Sequence, residues 1–308
     1  MSGETIGVLV MAYGGPNTID EVEPYLMDVR GFRPTPAHVV DEVRRRYEAI
    51  GGRSPILERT QAQAKALEDA LNTNGRRFTT VVGMRHWHPY IADALGRFAD
   101  ADVRRVVGLV MAPHYSRMSI EVYYTEVTEA KSDVAIAPIR EWHLLPGFID
   151  ALTDRVRGAI GRFPARERER VPVIFSAHSL PQRILEWGDP YPEQLEATMH
   201  AVLERLGKRT HRFAFQSAAM TKDPWLGPDA GDVIAELAAE GHTGMVIAPI
   251  GFTCEHVEVL YDVDVEFQER ARELGVRLER IDMVNDHPLM IADLARIVRE
   301  TATAQGWL

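Results

Sequence analysis

A histidine and a run of acids carry the chemistry most plainly written into this sequence. His178 sits in the segment FSAHSLP, after an apolar strand and before a turn set by Pro181, so its imidazole lies at a strand tip where it can be reached. There it can take up a proton near neutral pH or bind a borderline metal ion; taken alone, it reads equally well as a turn histidine bonded to backbone. In CEHVEVLYDVDVEFQER, Glu258, Asp262 and Glu266 recur at i, i+4 and i+8. On an α-helix this spacing lines three carboxylates along one face, where like charges cost roughly 0.2–0.5 kcal/mol per pair. The ladder is either the wet outer face of a helix or a hydrophilic track through an apolar site, the latter needing a cation or shared protons. Its start just after a strand tip, in APIGFTCEH, favours the track.

Other chemistries find less support. There is no Walker-type loop, and Gly14-Gly15 after the first strand lacks the GxGxxG spacing of a dinucleotide site. SAHSLP is not a GxSxG elbow, so a hydrolase would need Ser176 or Ser179 activated by His178 and oriented by a carboxylate, an arrangement the sequence leaves open. His86 and His88 flank Trp87 without the HExxH form of a zinc hydrolase. The single cysteine, Cys254, excludes an internal disulfide and cannot alone hold a structural zinc or an iron–sulfur cluster.

The elements that must position these residues alternate between short β-branched runs and amphipathic stretches. Strands are expected at 6–11, 78–84, 106–111, 171–176, 212–215, 244–247 and 277–281. Helices are expected near 34–49, 58–71, 91–98, 118–128, 147–162 and 290–304, the pattern of βαβ units around parallel sheets. The chain also resembles itself. GVLVMAYGGP ends near Tyr13 as PVIFSAHSLP ends near His178, and VVGLVMAPHYSRMSIEVYY resembles GMVIAPIGFTCEHVEVLYD, with Ala112-Pro113 matching Ala248-Pro249. The fold class is therefore α/β with two similar Rossmann-like halves, 1–165 and 166–308, each a parallel sheet flanked by helices. The charged loop 163–169 marks their boundary, and the closing helix can pack back on the first half. Ligands of open α/β sheets lie outside the carboxyl ends of the strands, so facing tips predict one cleft between the halves.

With 308 residues, 45% hydrophobic and 26% charged, the chain can bury a substantial core. Its 35 Lys and Arg against 45 Asp and Glu give a formal charge of −10, which argues against a general nucleic-acid binder. No export signal is visible and no apolar run approaches the ~20 residues of a membrane span, so a cytoplasmic protein without stable membrane insertion is expected.

In VLVMAYGGP, RYEAIGGRSPI, APHYS, FSAHSLP, GDPYPEQL, DPWLGPD and GFTCEHVEVLYD the sequence strongly resembles the ferrochelatases over nearly its whole length. The resemblance implies two Rossmann-like domains with a porphyrin held between them. It assigns the metal site to His178 and Glu258, and the acidic relay to Asp262 and Glu266. MAYG with Tyr13 looks like the bacterial coproporphyrin III branch, in which that tyrosine lies against the metal on the face opposite the histidine; protoporphyrin IX is the alternative. By the same resemblance Arg30, Arg46, Tyr47, Ser54 and Tyr123, with Tyr13, contact the tetrapyrrole or its propionates, for which the arginine fork is suited. Met11, Ile120 and Trp225 are candidates to face the ring. Ferrous iron is then a substrate, with no permanently bound cofactor and no iron–sulfur cluster, and a monomer is expected. A cobalt or nickel chelatase and a non-enzymatic porphyrin or haem carrier are the competing functions. Two positions depart from the family pattern: Gly15 stands where threonine is common, and Cys254-Glu255 where Ser-Asp or Ala-Asp is more usual. Cys254 can add a soft ligand or pack as a small apolar side chain.

Overall fold

The structure is a computed structural model that describes residues 4–73, 75, 78–218 and 223–308. Strands β1 (Ile6–Ala12), β2 (Phe78–Met84), β3 (Arg105–Val110) and β4 (Ala135–Ile139) form a parallel sheet in the order β2-β1-β3-β4. Strands β5 (Val173–His178), β6 (His211–Gln216), β7 (Gly244–Pro249) and β8 (Arg277–Arg280) form a second, in the order β6-β5-β7-β8. The two orders superpose strand for strand, so the internal likeness of the sequence is a likeness of topology. β1 reads IGVLVMA and is buried along its whole length, as a central parallel strand covered on both faces must be.

Helices α1 (Val22–Val29), α2 (Ala37–Ala49), α3 (Ile56–Leu71), α4 (Ile91–Asp100) and α5 (Ile120–Glu129) accompany the first sheet. α4 shows why such segments are helical: Ile91, Ala94, Leu95 and Phe98 follow the i, i+3, i+4, i+7 pattern and are all buried. Tyr90 and Asp93 cap its start by bonding back across the first turn. The chain then crosses over through α6 (Pro146–Gly161), which opens with proline at its first position. The second sheet carries α7 (Tyr191–Leu206), α8 (Ala230–Ala239), α9 (Val257–Leu260) and α10 (Gln268–Glu273), and the described chain closes with α11 (Pro288–Ala304).

α6 packs on α7, β7 and β8, whereas α11 packs on α6, α3, β3 and β4. The closing helix thus returns to the first sheet. One apolar core, with Val8, Phe148, Leu152, Val173, Val246 and Leu294 among its members, consequently runs through both sheets, and Phe163 of the charged loop is buried in it. Truncating the fully buried Leu152 to alanine would cost about 2–5 kcal/mol.

The expected elements are present with ends shifted by a few residues. β4 was not anticipated, because AIAPI is short and contains Pro138; proline is tolerated there because β4 is an edge strand. A larger correction concerns the acidic ladder. The α-helix carrying Glu258 ends at Leu260, and Asp262–Phe267 form a π-helical turn before α10 resumes. The backbone N–H of Glu266 reaches the carbonyl of Tyr261, five residues back.

Candidate active site

In each sheet the strand order reverses beside the strand that begins the unit, which opens a crevice at the carboxyl ends of β1 and β3, and of β5 and β7. The two crevices share one cavity of about 320 Å³, lined from both halves. Tyr13 follows β1 and His178 ends β5, so these two line it from equivalent tips, and the loop after β7 leads to Glu258, which lines it from the start of α9. Tyr47, Ser54 and Tyr123 line it too.

The second-half wall holds the ionisable pair. His178 Nδ1 contacts the carbonyl oxygen of Ser179, and Nε2 lies 3.4 Å from Glu258 Oε1. With Nδ1 held by the backbone carbonyl, Nε2 is the nitrogen that faces the carboxylate and the cavity, so it is there that the ring carries a proton toward Glu258 or, once that proton is lost, can bind a metal ion. The backbone contact anticipated by the turn-histidine reading is therefore real, and it aims the ring. Burial disfavours charge on both groups, yet the Glu258 carboxylate raises the proton affinity of His178. In turn His178, with His256 Nε2 at 3.2 Å from Glu258 Oε2, holds the Glu258 carboxyl well below the usual range. The Gln216 side-chain amide donates to the Glu258 carbonyl at 2.8 Å and pins its backbone. Gly251 lets this loop pass against β5, since a Cβ there would stand 2.7 Å from that of Ala177. Among the described residues no set of three or more His, Cys, Asp or Glu side chains is gathered to hold an ion.

Neither serine of SAHSLP is placed as a nucleophile. Ser176 donates its hydroxyl proton to Gln216 Oε1 at 2.9 Å and Ser179 to the Leu226 carbonyl at 2.8 Å. Both are buried and committed away from the imidazole.

The first-half wall is made of rings and one cation. Tyr13 lies against His86, ring centroids 4.6 Å apart, and His86 is held by Asp28 at 2.8 Å. Burial, reinforced by the Glu258 carboxylate, pushes the Tyr13 hydroxyl up to about 12, so it stays protonated at neutral pH. Among the described residues Arg85 is the one Arg or Lys that lines the cavity. Its guanidinium lies 5.9 Å from the Tyr13 ring centre and 5.8 Å from that of Tyr123, and it is paired with Glu126 at 2.9 Å. Sequence reasoning missed Arg85; the available signal was a basic residue at the tip of β2, beside the tip that carries Tyr13. It also missed Tyr25, Tyr191 and His256, all of which line the cavity.

Other expected contacts fall elsewhere. Arg30 is exposed and outside the lining. Arg46 does not line the cavity either: it approaches Asp262 at 3.8 Å and Glu266 at 4.0 Å, pairs with Glu42 at 2.9 Å, and covers the Tyr261 ring. Met11 and Ile120 point into the core, each fully buried, so of the three ring candidates only Trp225 stands near the site, its ring centre 6.4 Å from that of His178. Cys254 does line the cavity, but it packs there against the apolar core, its thiol pushed up to about 12 by burial. Gly15 has a steric reason, because a Cβ at that position would come within 2.7 Å of the Ser54 side chain.

The ladder runs from wet to buried. The Glu266 side chain is 46% exposed and that of Asp262 7%, while Glu258 faces the cavity. Burial raises the Asp262 carboxyl to about 6, against the Ser217 hydroxyl that donates to it. Arg46 and Ser217 thus relieve the repulsion that three stacked carboxylates would otherwise suffer.

Two sheets of this order, meeting at their strand tips, define the chelatase fold. Solved structures with it include SirB from Bacillus subtilis with Fe3+ (TM-score 0.57, 12% identity, 98% of each chain) and CbiX (TM-score 0.53, 11% identity, 96% of this chain and 99% of that one). Within the fold, the chain belongs to the ferrochelatase family, whose model matches residues 5–302. It is 42% identical to the ferrochelatase of Herpetosiphon aurantiacus over 97% of this chain and 99% of that protein. It is 40% identical to the coproporphyrin III ferrochelatase of Geobacillus kaustophilus over 99% of each.

Proposed function

We propose that this chain inserts ferrous iron into coproporphyrin III, with residues 1–165 supplying the wall that grips the macrocycle and 166–308 the wall that handles metal and protons. The observation that carries this reading is the placement of His178 and Glu258 across one cavity from Tyr13, Tyr123 and Arg85. Full-length relatives named coproporphyrin III ferrochelatase support the choice of porphyrin.

In this mechanism Glu258 and the Nε2 of His178 replace water on the incoming ion, a ligand pair that ferrous iron accepts. The macrocycle is held bent so that its pyrrole nitrogens face this pair, and as the ion passes to the macrocycle the freed Nε2 of His178 and the Glu258 carboxylate take up the two protons the pyrroles release. Because Glu258 favours the protonated imidazole in the empty cavity, metal entry must displace that proton, and iron affinity falls as pH falls. Asp262 and Glu266 form the route between solvent and Glu258 for ions or protons, with Arg46 as the counter-charge that keeps it assembled. Tyr13 meets the iron from the opposite face after insertion. Propionates are taken by Arg85 and by the hydroxyls of Tyr47, Ser54 and Tyr123, with the exposed Arg30 as a further candidate.

Ferrous iron is a substrate in this scheme, and no resident cofactor or cluster has a part in it. Among the described residues no helix is long and apolar enough to cross a membrane. A monomer working in the cytoplasm on a small porphyrin, with no nucleic-acid partner, suits a cavity lined from both halves of one chain and the charge of −10.

The test is anaerobic metallation of coproporphyrin III and protoporphyrin IX in separate reactions, read from the free-base absorption bands. Faster turnover of coproporphyrin is expected. Faster turnover of protoporphyrin would overturn the substrate, and binding of both without metallation would overturn the enzyme in favour of a carrier.

A further inference from the structure

Two segments that the proposed chemistry leaves without a role, APHYS and GDPYPEQL, bond to each other across the halves. The loop after β3 carries His114, Tyr115, Ser116 and Arg117. Every one of these is held from the second half. Gln194 Oε1 accepts from the Tyr115 backbone N–H at 2.7 Å, and Asp189 Oδ2 accepts from the Ser116 hydroxyl at 3.0 Å and from the Arg117 N–H at 2.8 Å. His114 Nε2 meets the Thr198 hydroxyl at 2.9 Å, and that hydroxyl donates onward to the His143 carbonyl at 3.2 Å. Thr198 therefore accepts from His114, whose burial keeps it neutral. Asp189, 4% exposed, also accepts the Tyr191 N–H through Oδ1 at 3.1 Å, and the Tyr191 hydroxyl donates to the His178 carbonyl at 3.0 Å. A line of bonds thus runs from the first half's loop to the backbone of His178.

The loop after β7 is the topological counterpart of the loop after β3, and it is held the other way round. α3, which corresponds to α7, projects Gln63; its amide donates to the Thr253 hydroxyl at 3.4 Å and to the Asn285 carbonyl at 3.0 Å. Thr253 donates to the Met111 carbonyl at the end of β3 at 2.9 Å, and its own carbonyl accepts from the Asn285 N–H at 2.7 Å. One turn earlier on α3, Arg59 pairs with Glu255 at 3.0 Å. Gln63 and Thr253 are buried. Glu258 begins five residues after Thr253, so the start of its helix is fixed by contacts to the other half.

We infer that the two halves hold each other's active-site loops in a reciprocal clamp, with Asp189 and Gln63 as positioning residues that set the gap between the metal-handling and macrocycle-gripping walls. Its kinetic consequence rests on the proposed function; its structural consequence does not. The experiment is amide hydrogen exchange on the whole protein for the wild type, D189N and Q63L, with insertion kinetics on the same samples.

The clamp predicts a crossed pattern. D189N raises exchange by about tenfold in the loop at 114–118, and Q63L does so in the loop at 250–256, each in the half that was not altered. Insertion kcat falls by about ten- to a hundredfold in both while porphyrin affinity stays within about twofold, because reacting groups misplaced by a fraction of an ångström lose rate before binding. Exchange that rises only around the substituted residue, or not at all, overturns the clamp. If Q63L does not fold, T253S and T253V replace it: the clamp requires serine to preserve protection at 250–256 and valine to lose it, and equal behaviour of the two contradicts it. A wild type that inserts no metal overturns the proposed reaction and leaves the crossed exchange pattern to decide the clamp.

Discussion

The two walls of the cavity come from halves of the same topology, yet they carry opposite chemistry. The tip of β1 presents Tyr13, backed by a chain of neighbours, His86 and Asp28, and flanked by Arg85. The equivalent tip of β5 presents His178, aimed by a carbonyl and faced by Glu258. The first wall is aromatic with one cation; the second is a pair of ionisable groups that hold each other charged. One βαβ scaffold thus supplies two dissimilar surfaces, because the fold fixes where a tip residue stands and leaves its identity free. The division also suits a flat, apolar ligand bearing carboxylates on one side and an ion and protons on the other.

Substitutions that separate the walls should give separable losses. The largest is expected for His178→Ala, about 10³-fold in the rate of metal insertion, within the range of general acid–base groups. Glu258→Gln should cost about 10²-fold and lower the pKa of His178, whose elevation comes from that carboxylate; the proton resonances of the imidazole report it. On the other wall, Arg85→Ala should weaken porphyrin binding by about tenfold, the worth of one charge-assisted contact, with a smaller change in kcat, as fluorescence quenching and saturation kinetics would show.

Asp262→Asn tests the buried end of the track through stability. The folded pKa, about 6, lies above the ordinary carboxylate range. The penalty is therefore absent only well below pH 4, grows between about pH 4 and 6, and is full above that. The variant should be more stable than wild type by up to about 2 kcal/mol at pH 7.5 and within about 0.5 kcal/mol of it at pH 4, as denaturant melts at the two pH values would show. Glu266→Gln, at the wet end, should have the smallest effect, raising the apparent iron requirement by about threefold, since exposed charges interact weakly. An unchanged iron dependence would return Glu266 to a solvated surface.

Much of this arrangement was legible in the residues. The β-branched runs locate β2 to the residue, and the likeness between the tips sets Tyr13 and His178 at equivalent places in facing halves. Local pattern failed where tertiary contacts decide. Periodicity cannot show a π-helical turn, so Glu258, Asp262 and Glu266 read as one straight α-helical face. Arginine composition does not say which carboxylate will claim it, and Arg46 went to Asp262 and Glu266 rather than to the cavity lining. Met11 and Ile120 are apolar neighbours of the site in sequence, but the alternation of β1 and the buried face of α5 turn them inward. Arg85 escaped because its signal is positional: a β2 tip lies beside the β1 tip only once the strand order is known.

Whether one wall binds the macrocycle and the other performs the insertion is decided by measuring porphyrin affinity and single-turnover iron insertion side by side in His178→Ala and Arg85→Ala. A crossing is expected: His178→Ala keeps coproporphyrin affinity within about twofold and loses insertion, while Arg85→Ala loses affinity and, at saturating porphyrin, inserts at a rate near that of the wild type. Parallel losses of affinity and rate in both variants, or insertion retained without the histidine, would contradict it.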